Sequence, residues 1–204
     1  MTVFNNISRL ENHTQPSSVN YFVDANIWIY AMQDDSLLNR YELLYFNFFY
    51  KIIDSELTVK PKILLPVLLF SEIVNSYLRN IALPEYKAEQ GIHNSVSFNF
   101  KKDYRFTSHY KNSYKKVCDD IMALRDSIIF ISDNSIIDDP TSLLDSNIGE
   151  FDFNDYFYYQ LCKEHQKENK IIILTNDGDF RISDIPIITL NREILDLRGT
   201  KTQN

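Results

Sequence analysis

The segment YFVDANIWIY (21–30) has the pattern of a buried strand that ends at an aspartate and turns into a helix. The strand covers 21–23, Asp24 forms the turn, and a helix begins near Ala25. A second buried strand, KIIILT (170–175), is followed by the polar turn NDGDF (176–180). Units of this kind are typical of parallel sheets, which place functional groups just beyond the carboxyl ends of their strands.

Between and beyond these two segments, predicted strands and helices alternate along the chain. Further strands are predicted over 60–66, 128–132 and 185–190, and helices over 36–57, 67–80, 85–127 with an internal loop, and 152–169. The helix over 67–80 should stop before Pro84. Residues 133–150 are rich in turn-forming side chains. This alternation predicts an α/β sandwich with a mainly parallel sheet.

Composition excludes several classes of protein. A length of 204 residues suits one domain. The 4 Gly are too scattered for a dinucleotide fingerprint or a P-loop, and 2 Cys are too few for a disulfide scaffold or a thiolate zinc site. With no targeting signal and no apolar run of about 18 residues, we expect a soluble, cytoplasmic protein without a membrane segment.

Acidic residues occur where a parallel sheet collects its functional groups. They are Asp24, Asp177 and Asp179 directly after predicted strands, Glu72 inside an apolar helix, and Asp152 and Asp155 at the start of the helix over 152–169. If these carboxylates converge, their repulsion must be offset. Hard divalent cations such as Mg²⁺ do this, since they take oxygen ligands, and two such ions assist phosphodiester cleavage. A net charge of −7 argues against binding nucleic acid by bulk positive charge, but not against such a nuclease.

Each acid also has a purely structural interpretation. Asp24 is a plausible N-cap of the helix that follows it, and Asp152 with Asp155 has the spacing of a capping box. The turn at 176–178 is ordinary turn chemistry. Glu72 could be exposed or paired with Arg79 on the same helix.

In order and in strand or helix context, the motifs VDANIWIY, LLFSEIVNSY, DFNDYFYY and TNDGDF resemble those of PIN-domain ribonucleases. The resemblance implies a PIN-like, Rossmann-like three-layer sandwich and Mg²⁺- or Mn²⁺-dependent cleavage of RNA. Many small bacterial members are toxins that pair with a protein antitoxin, often as homodimers. The family core would cover 21–196, which leaves 1–20 as an N-terminal arm or short added helix and 197–204 as a tail. Residues 85–147 are a helical elaboration that compact toxins lack.

The resemblance also assigns roles to individual residues. Asp24, Glu72 and Asp155 match the first three acids of the family, and Asp177 is favoured over Asp179 as the fourth. Three further residues are expected to support the metal ligands, namely Asn26, Thr175 and Asp152.

The segment KKDYRFTSHYKNSYKK (101–116) is basic in an otherwise acidic chain. Its basic residues are Lys101, Lys102, Arg105, Lys111, Lys115 and Lys116, and with Asp103 they give a local charge of six minus one, +5. Aromatic residues interleave with them, as in surfaces that bind phosphates and stack on unpaired bases. The alternative is a solvated helix whose aromatic side chains pack inward.

Other functions remain open from sequence. A catalytically inactive PIN-like module that binds RNA or protein would retain the same motifs. A phosphatase of another Rossmann-like family would need an Asp-x-Asp pair after the first strand, but Asn26 stands two residues after Asp24. A nuclease could act as a toxin, an anti-phage effector or an RNA-processing enzyme.

Overall fold

A computed structural model describes residues 6–93, 96–132, 153–167, 169–180, 182 and 184–198. Within these residues, six strands form one parallel sheet: β1 Ile7–Arg9, β2 Asn20–Val23, β3 Lys62–Pro66, β4 Ile128–Ile131, β5 Ile171–Leu174 and β6 Ile187–Thr189. The α-helices of the same residues are α1 Ala25–Ala31, α2 Arg40–Ile53, α3 Val67–Tyr77, α4 Leu83–Glu89, α5 Ser108–Ala123, α6 Phe153–Gln166 and α7 Arg192–Leu195. The predicted α/β class and parallel sheet are confirmed.

The strand order β1-β6-β5-β2-β3-β4 creates a crevice at the centre of the sheet. From β2 the chain moves outward to β3 and β4, and it then returns to the other side of β2 for β5 and β6. The reversal therefore falls between β2 and β5, where open α/β sheets bind their ligands. Val23 is in register with Leu174, and the N–H of Asp24 donates to the carbonyl of Leu174 at 3.0 Å.

Helices cover both faces of this sheet. Side chains of successive strand residues point to opposite faces of a sheet, so Tyr21 and Phe22 of β2 lie on different faces. The Tyr21 ring packs against Phe48 of α2, with ring centroids 6.1 Å apart, and Phe22 packs against Tyr158 of α6 at 5.1 Å. Helix, sheet and helix form successive layers, an arrangement consistent with a Rossmann-like three-layer sandwich.

The N-terminal segment differs from its prediction. Instead of a loose arm or added helix over 1–20, Ile7–Arg9 form edge strand β1, in which Arg9 is in register with Thr189. The side chains of Ile7 and Leu10 are buried in the core. The sequence of this strand, ISR, contains one apolar residue and so gives little sign of a strand. Its hydrogen-bonded partner is β6, which is far along the chain.

The helical path after β3 also extends further than predicted. A π-helical turn, Leu78–Ala82, follows α3 and leads directly into α4, so the chain does not leave helical geometry before Pro84. Pro84 lies in the first turn of α4, a position that tolerates proline, and the π-helical turn before it is closed by the bond from the N–H of Leu83 to the carbonyl of Leu78. None of the helices in the described part of the chain is long and apolar enough to cross a membrane.

Candidate active site: an acidic cluster at the carboxyl edge of the sheet

Asp24 is both a helix cap and a member of the candidate site. It directly follows β2, and its Oδ1 accepts the N–H of Asn26 at 3.5 Å as the N-cap of α1. Its Oδ2 accepts a hydrogen bond of 3.0 Å from the hydroxyl of Thr175, which directly follows β5. Asp24 can therefore cap α1 with one carboxylate oxygen and still take part in the acidic site with the other.

Thr175 connects the two sides of the crevice. Its side chain is fully buried, and its Oγ1 also accepts the N–H of Asp177 at 2.9 Å. Asp177 in turn accepts the N–H of Asp179 on its Oδ1 at 3.0 Å. These hydrogen bonds fix the position of the turn after β5 relative to Asp24. Thr175 was predicted to support the metal ligands, and its contacts are those that such a role requires.

Three carboxylates meet at this turn. One oxygen each of Asp155, Asp177 and Asp179 lies within 4.8 Å of the others. Asp155 comes from the first turn of α6, and the other two come from the turn after β5. Both acids of that turn thus lie beside Asp155, so the structure does not single out Asp177.

Glu72 approaches the cluster from α3 and is oriented by Tyr158. The Tyr158 hydroxyl donates a hydrogen bond of 2.7 Å to Oε2 of Glu72. Sequence reasoning missed Tyr158, although it lies three residues after Asp155 and hence on the same face of α6. The alternative ion pair of Glu72 with Arg79 is not formed, since the Arg79 guanidinium lies over the Phe100 ring, 4.4 Å from its centroid.

Ionisation links Asp24 to the other acids. Burial raises the pKa of Asp24 to about 6, the hydrogen bond from Thr175 opposes this rise, and the negative charges of Asp177 and Glu72 raise it further. Burial also raises the pKa of the Tyr158 hydroxyl, as do its bond to Glu72 and the charges of Glu72, Asp155 and Asp24. Asp24 therefore interacts electrostatically with Asp177 and Glu72, whereas the described acids whose oxygens lie within 4.8 Å of one another are Asp155, Asp177 and Asp179.

The donor set fits a hard divalent cation. Its members offer carboxylate oxygens, which are the ligands that Mg²⁺ and Mn²⁺ accept. Uncompensated, these charges repel one another, and a cation would remove that cost. Asp155, Asp177 and Asp179 would hold the cation, with Asp24 and Glu72 beside them.

Tyr45 is a second residue that sequence reasoning missed. Its fully buried hydroxyl lies 3.0 Å from the carbonyl of Thr175 and 3.2 Å from Oδ1 of Asn176, and it accepts the N–H of Leu190 at 2.6 Å. Burial raises the pKa of Tyr45 to about 12. The hydroxyl fastens the ends of β5 and β6 together, and only the tertiary structure reveals it, because the aromatic face of α2 has several similar residues.

Two predicted supporting residues remain, Asn26 and Asp152. Asn26 contacts Asp24 through its backbone, and its side chain is exposed. Asp152 lies outside the described residues.

In the basic segment 101–116, Lys115 and Lys116 each form an ion pair with the aspartate four residues on. Tyr104 is fully buried and hydrogen-bonded to His109, so its ring is not available for stacking on a base. RNA binding by the segment stays a prediction, with less free charge than the sequence of 101–116 alone indicates.

Comparisons with family models, curated proteins and solved structures found no match to this chain. The chemistry of the site must therefore be inferred from its own geometry. That geometry combines a carboxylate cluster suited to a divalent cation with a buried hydroxyl, that of Tyr158, bonded to one of the acids.

Proposed function

We propose that this protein is a divalent-metal-dependent endoribonuclease of the PIN-domain type. The observation that carries the proposal is the approach of Asp155, Asp177 and Asp179 within 4.8 Å, beside Asp24 and at the crevice between β2 and β5. Acids that are distant in sequence meet at the position where parallel sheets bind ligands. The order of the same acids along the chain is that of the family.

The chain's own residues would position the reaction. Bound Mg²⁺ or Mn²⁺ would polarise a phosphoryl oxygen and make water a better nucleophile. Thr175 fixes Oδ2 of Asp24 and thereby sets the orientation of that carboxylate. Tyr158 occupies Oε2 of Glu72, which leaves Oε1 to accept a hydrogen bond from an attacking water. The raised pKa of the Tyr158 hydroxyl keeps it protonated and donating.

The biological role follows from the family resemblance. The proposal extends to a toxin-type or defence ribonuclease of the cytoplasm that acts on RNA, is restrained by a protein antitoxin and forms a homodimer. These features rest on the resemblance to small bacterial members of the family alone, and the compact toxins among them lack the region 85–147. The toxin role, the antitoxin and the homodimer could each prove wrong while the proposed RNA cleavage remained correct.

Cleavage of a labelled single-stranded RNA in Mn²⁺ tests the proposal. Asp155→Asn is expected to lower the rate at least about 100-fold, because a metal ligand should matter at least as much as the residues that orient it. Asp126→Asn is the matched control, since its side chain is 98% exposed and it precedes β4 at the opposite edge of the sheet. Equal rates in wild type and Asp155→Asn would contradict the proposal. Mn²⁺ binding by a wild type that cleaves no RNA would favour the inactive binding module.

A further inference from the structure

A second concave site lies beside the acidic cluster and has a different chemistry. We call it the arginine pocket, a cavity of about 440 Å³ whose lining includes Arg9, Tyr30, Tyr41, Asn176 and Arg192. Its size is within the range of small-molecule and cofactor sites. Two arginines in one pocket are notable in a chain of net charge −7.

The arginine pocket shares a wall with the candidate active site. Asn176 immediately precedes Asp177, and its Nδ2 donates to the Tyr30 hydroxyl at 3.3 Å. The pKa of that hydroxyl is raised mainly by burial and further by the negative charges of Glu42, which lines the pocket, and Asp24, which belongs to the acidic cluster. Tyr30 thus stands between the two sites.

The fold fixes both arginines at the carboxyl edge of the sheet. Arg9 ends β1 in register with Thr189 of β6. Arg192 follows Asn191, whose Nδ2 donates to the carbonyl of Asn176 at 2.9 Å. Since neighbouring strands are about 4.8 Å apart, Arg9 lies two strand spacings, on the order of 10 Å, from the end of β5. Both arginines therefore belong to segments that neighbour the end of β5, where the turn with Asp177 begins.

Arginines outnumber carboxylates in the lining of the pocket, with Arg9 and Arg192 against Glu42, so the lining carries two minus one, +1. The Glu42 carboxylate also accepts the N–H of Asn39 at 2.9 Å in the capping box of α2. Arg9 pairs with Glu11 at 2.6 Å in an exposed pair, which is weak and open to competition. Arg192 forms no ion pair with any residue that the structure describes. Guanidinium groups match the oxygens of a phosphate.

An aromatic ring accompanies the two arginines. Tyr41, in the first turn of α2, is 56% exposed and lines the pocket. Exposed aromatic rings beside cations are the common platform for unpaired bases, because every base has a face that can stack. The pocket thus combines a phosphate-binding and a base-stacking element.

We propose that the arginine pocket binds a nucleotide adjacent to the scissile phosphate of single-stranded RNA, with the backbone phosphate on Arg9 and Arg192 and the base on Tyr41. The inference rests on the proposed ribonuclease function. It directs the RNA strand along the carboxyl edge from β5 towards β1. It gives edge strand β1 a part in substrate binding.

Binding of fluorescein-labelled single-stranded RNA in EDTA, where metal-dependent cleavage is suppressed, tests the pocket. Arg9→Gln with Arg192→Gln is expected to weaken binding at least about tenfold, and to lower the slope of log K against log salt by about 0.7 per lost phosphate contact, or about 1.4. Tyr41→Ala is expected to weaken binding about tenfold with the salt slope unchanged. The matched control is Arg125→Gln, an exposed arginine just before β4 at the opposite edge.

The outcomes separate the pocket from the nuclease. An unchanged affinity in the double arginine variant overturns the pocket, even if the wild type cleaves RNA in Mn²⁺. An equal loss in Arg125→Gln also overturns it, because the effect would then be one of general charge. Arginine-dependent binding by a wild type that cleaves nothing keeps the pocket as an RNA-binding site, but contradicts the nuclease and the pocket's place beside a scissile phosphate. A wild type that neither binds nor cleaves RNA overturns both.

Discussion

The hydroxyl of Thr175 donates a hydrogen bond of 3.0 Å to Oδ2 of Asp24, joining residues 151 positions apart in sequence. Each residue directly follows a central strand, and the bond crosses the crevice between β2 and β5. The same oxygen of Thr175 accepts the N–H of Asp177. A single buried hydroxyl therefore sets the relative positions of acids from two strands.

Replacement of Thr175 by valine should show what the hydrogen bonds of its hydroxyl contribute, because it removes them and nearly preserves the packing of the side chain. The two side chains have similar shapes, but Thr175→Val leaves the N–H of Asp177 without its partner. We expect a loss of about 1–3 kcal/mol in the free energy of unfolding, measured with urea, together with slower RNA cleavage. Thr175→Ser keeps the hydroxyl and should retain most of the activity. Equal activity in the valine and serine variants would contradict a positioning role for the hydroxyl.

The raised pKa of Asp24 makes a prediction about pH. Its pKa is about 6 in the folded protein and has an ordinary value of 3.8, so the folded state retains the proton more strongly. This contribution to stability is present in full below about pH 3.8 and is lost as the pH rises through about 6, by at most about 3 kcal/mol. In metal-free buffer, Asp24→Asn should flatten this part of the pH profile and be more stable than wild type above pH 6, while asparagine still caps α1.

Asp34→Asn is a control in which the pKa of the replaced aspartate is shifted in the opposite direction. Asp34 is a fully exposed N-cap whose pKa is lowered by hydrogen bonds from Ser36, so its contribution is lost as the pH falls. This variant should leave the fall in stability between pH 4 and 6 unchanged. An unaltered profile in Asp24→Asn, measured by thermal melts over that range, would show that Asp24 is not buried among like charges.

Divalent cations should stabilise the folded protein. A ligand that binds only the folded state at 100 times its Kd contributes about 2.7 kcal/mol. Mn²⁺ is therefore expected to raise the Tm of the wild type near pH 7.5 by several degrees, and to raise that of Asp177→Asn far less. Asp126→Asn should respond like the wild type, because this aspartate lies away from the cluster. A similar rise in all three proteins would indicate non-specific binding.

The hydroxyl of Tyr158 should matter for catalysis more than for folding. Tyr158→Phe removes the hydrogen bond to Glu72 and is expected to lower kcat about tenfold or more, as removal of groups that orient ligands does. Tyr159→Phe is the matched control. Tyr159 belongs to the same helix, but its hydroxyl donates to Asp184, at 2.8 Å, and not to an acid of the cluster. Equal loss of kcat in the two variants would contradict a specific role for Tyr158.

The basic segment should contribute less to RNA binding than the arginine pocket. Lys115 and Lys116 are already paired with acids on α5, so they are less available to neutralise RNA phosphates and release the counterions of the RNA. Lys111→Gln combined with Lys115→Gln and Lys116→Gln should change RNA affinity less than the double arginine substitution. A larger loss of affinity and salt dependence would place the RNA path on α5 instead.

The parts of the fold that are encoded locally could be predicted from the sequence. The residues at 21–23 and 171–174 are all apolar, and each run leads into a polar turn, that of Asp24 or that of Asp177, so both strands could be identified. Strand β1 could not be predicted, because Ile7–Arg9 contains one apolar residue and its stability comes from pairing with β6. The π turn after α3 likewise depends on packing, which allows Pro84 to enter a new helix.

The candidate site divides in the same way. Carboxylates were identified because their positions relative to strands and helices have chemical meaning in sequence. Tyr158, Tyr45 and the arginine pocket were missed, because aromatic and basic residues are common and only long-range contacts distinguish these ones. The basic segment stood out in sequence because its compensating acids lie just beyond 116.

A crystal structure of the protein soaked in Mn²⁺ would show whether the acidic cluster binds the cation. We expect an anomalous peak about 2.1 Å from carboxylate oxygens of Asp155 and of Asp177 or Asp179, with Asp24 beside it. Absence of a peak at saturating Mn²⁺, with these carboxylates directed to separate surfaces, would contradict the account.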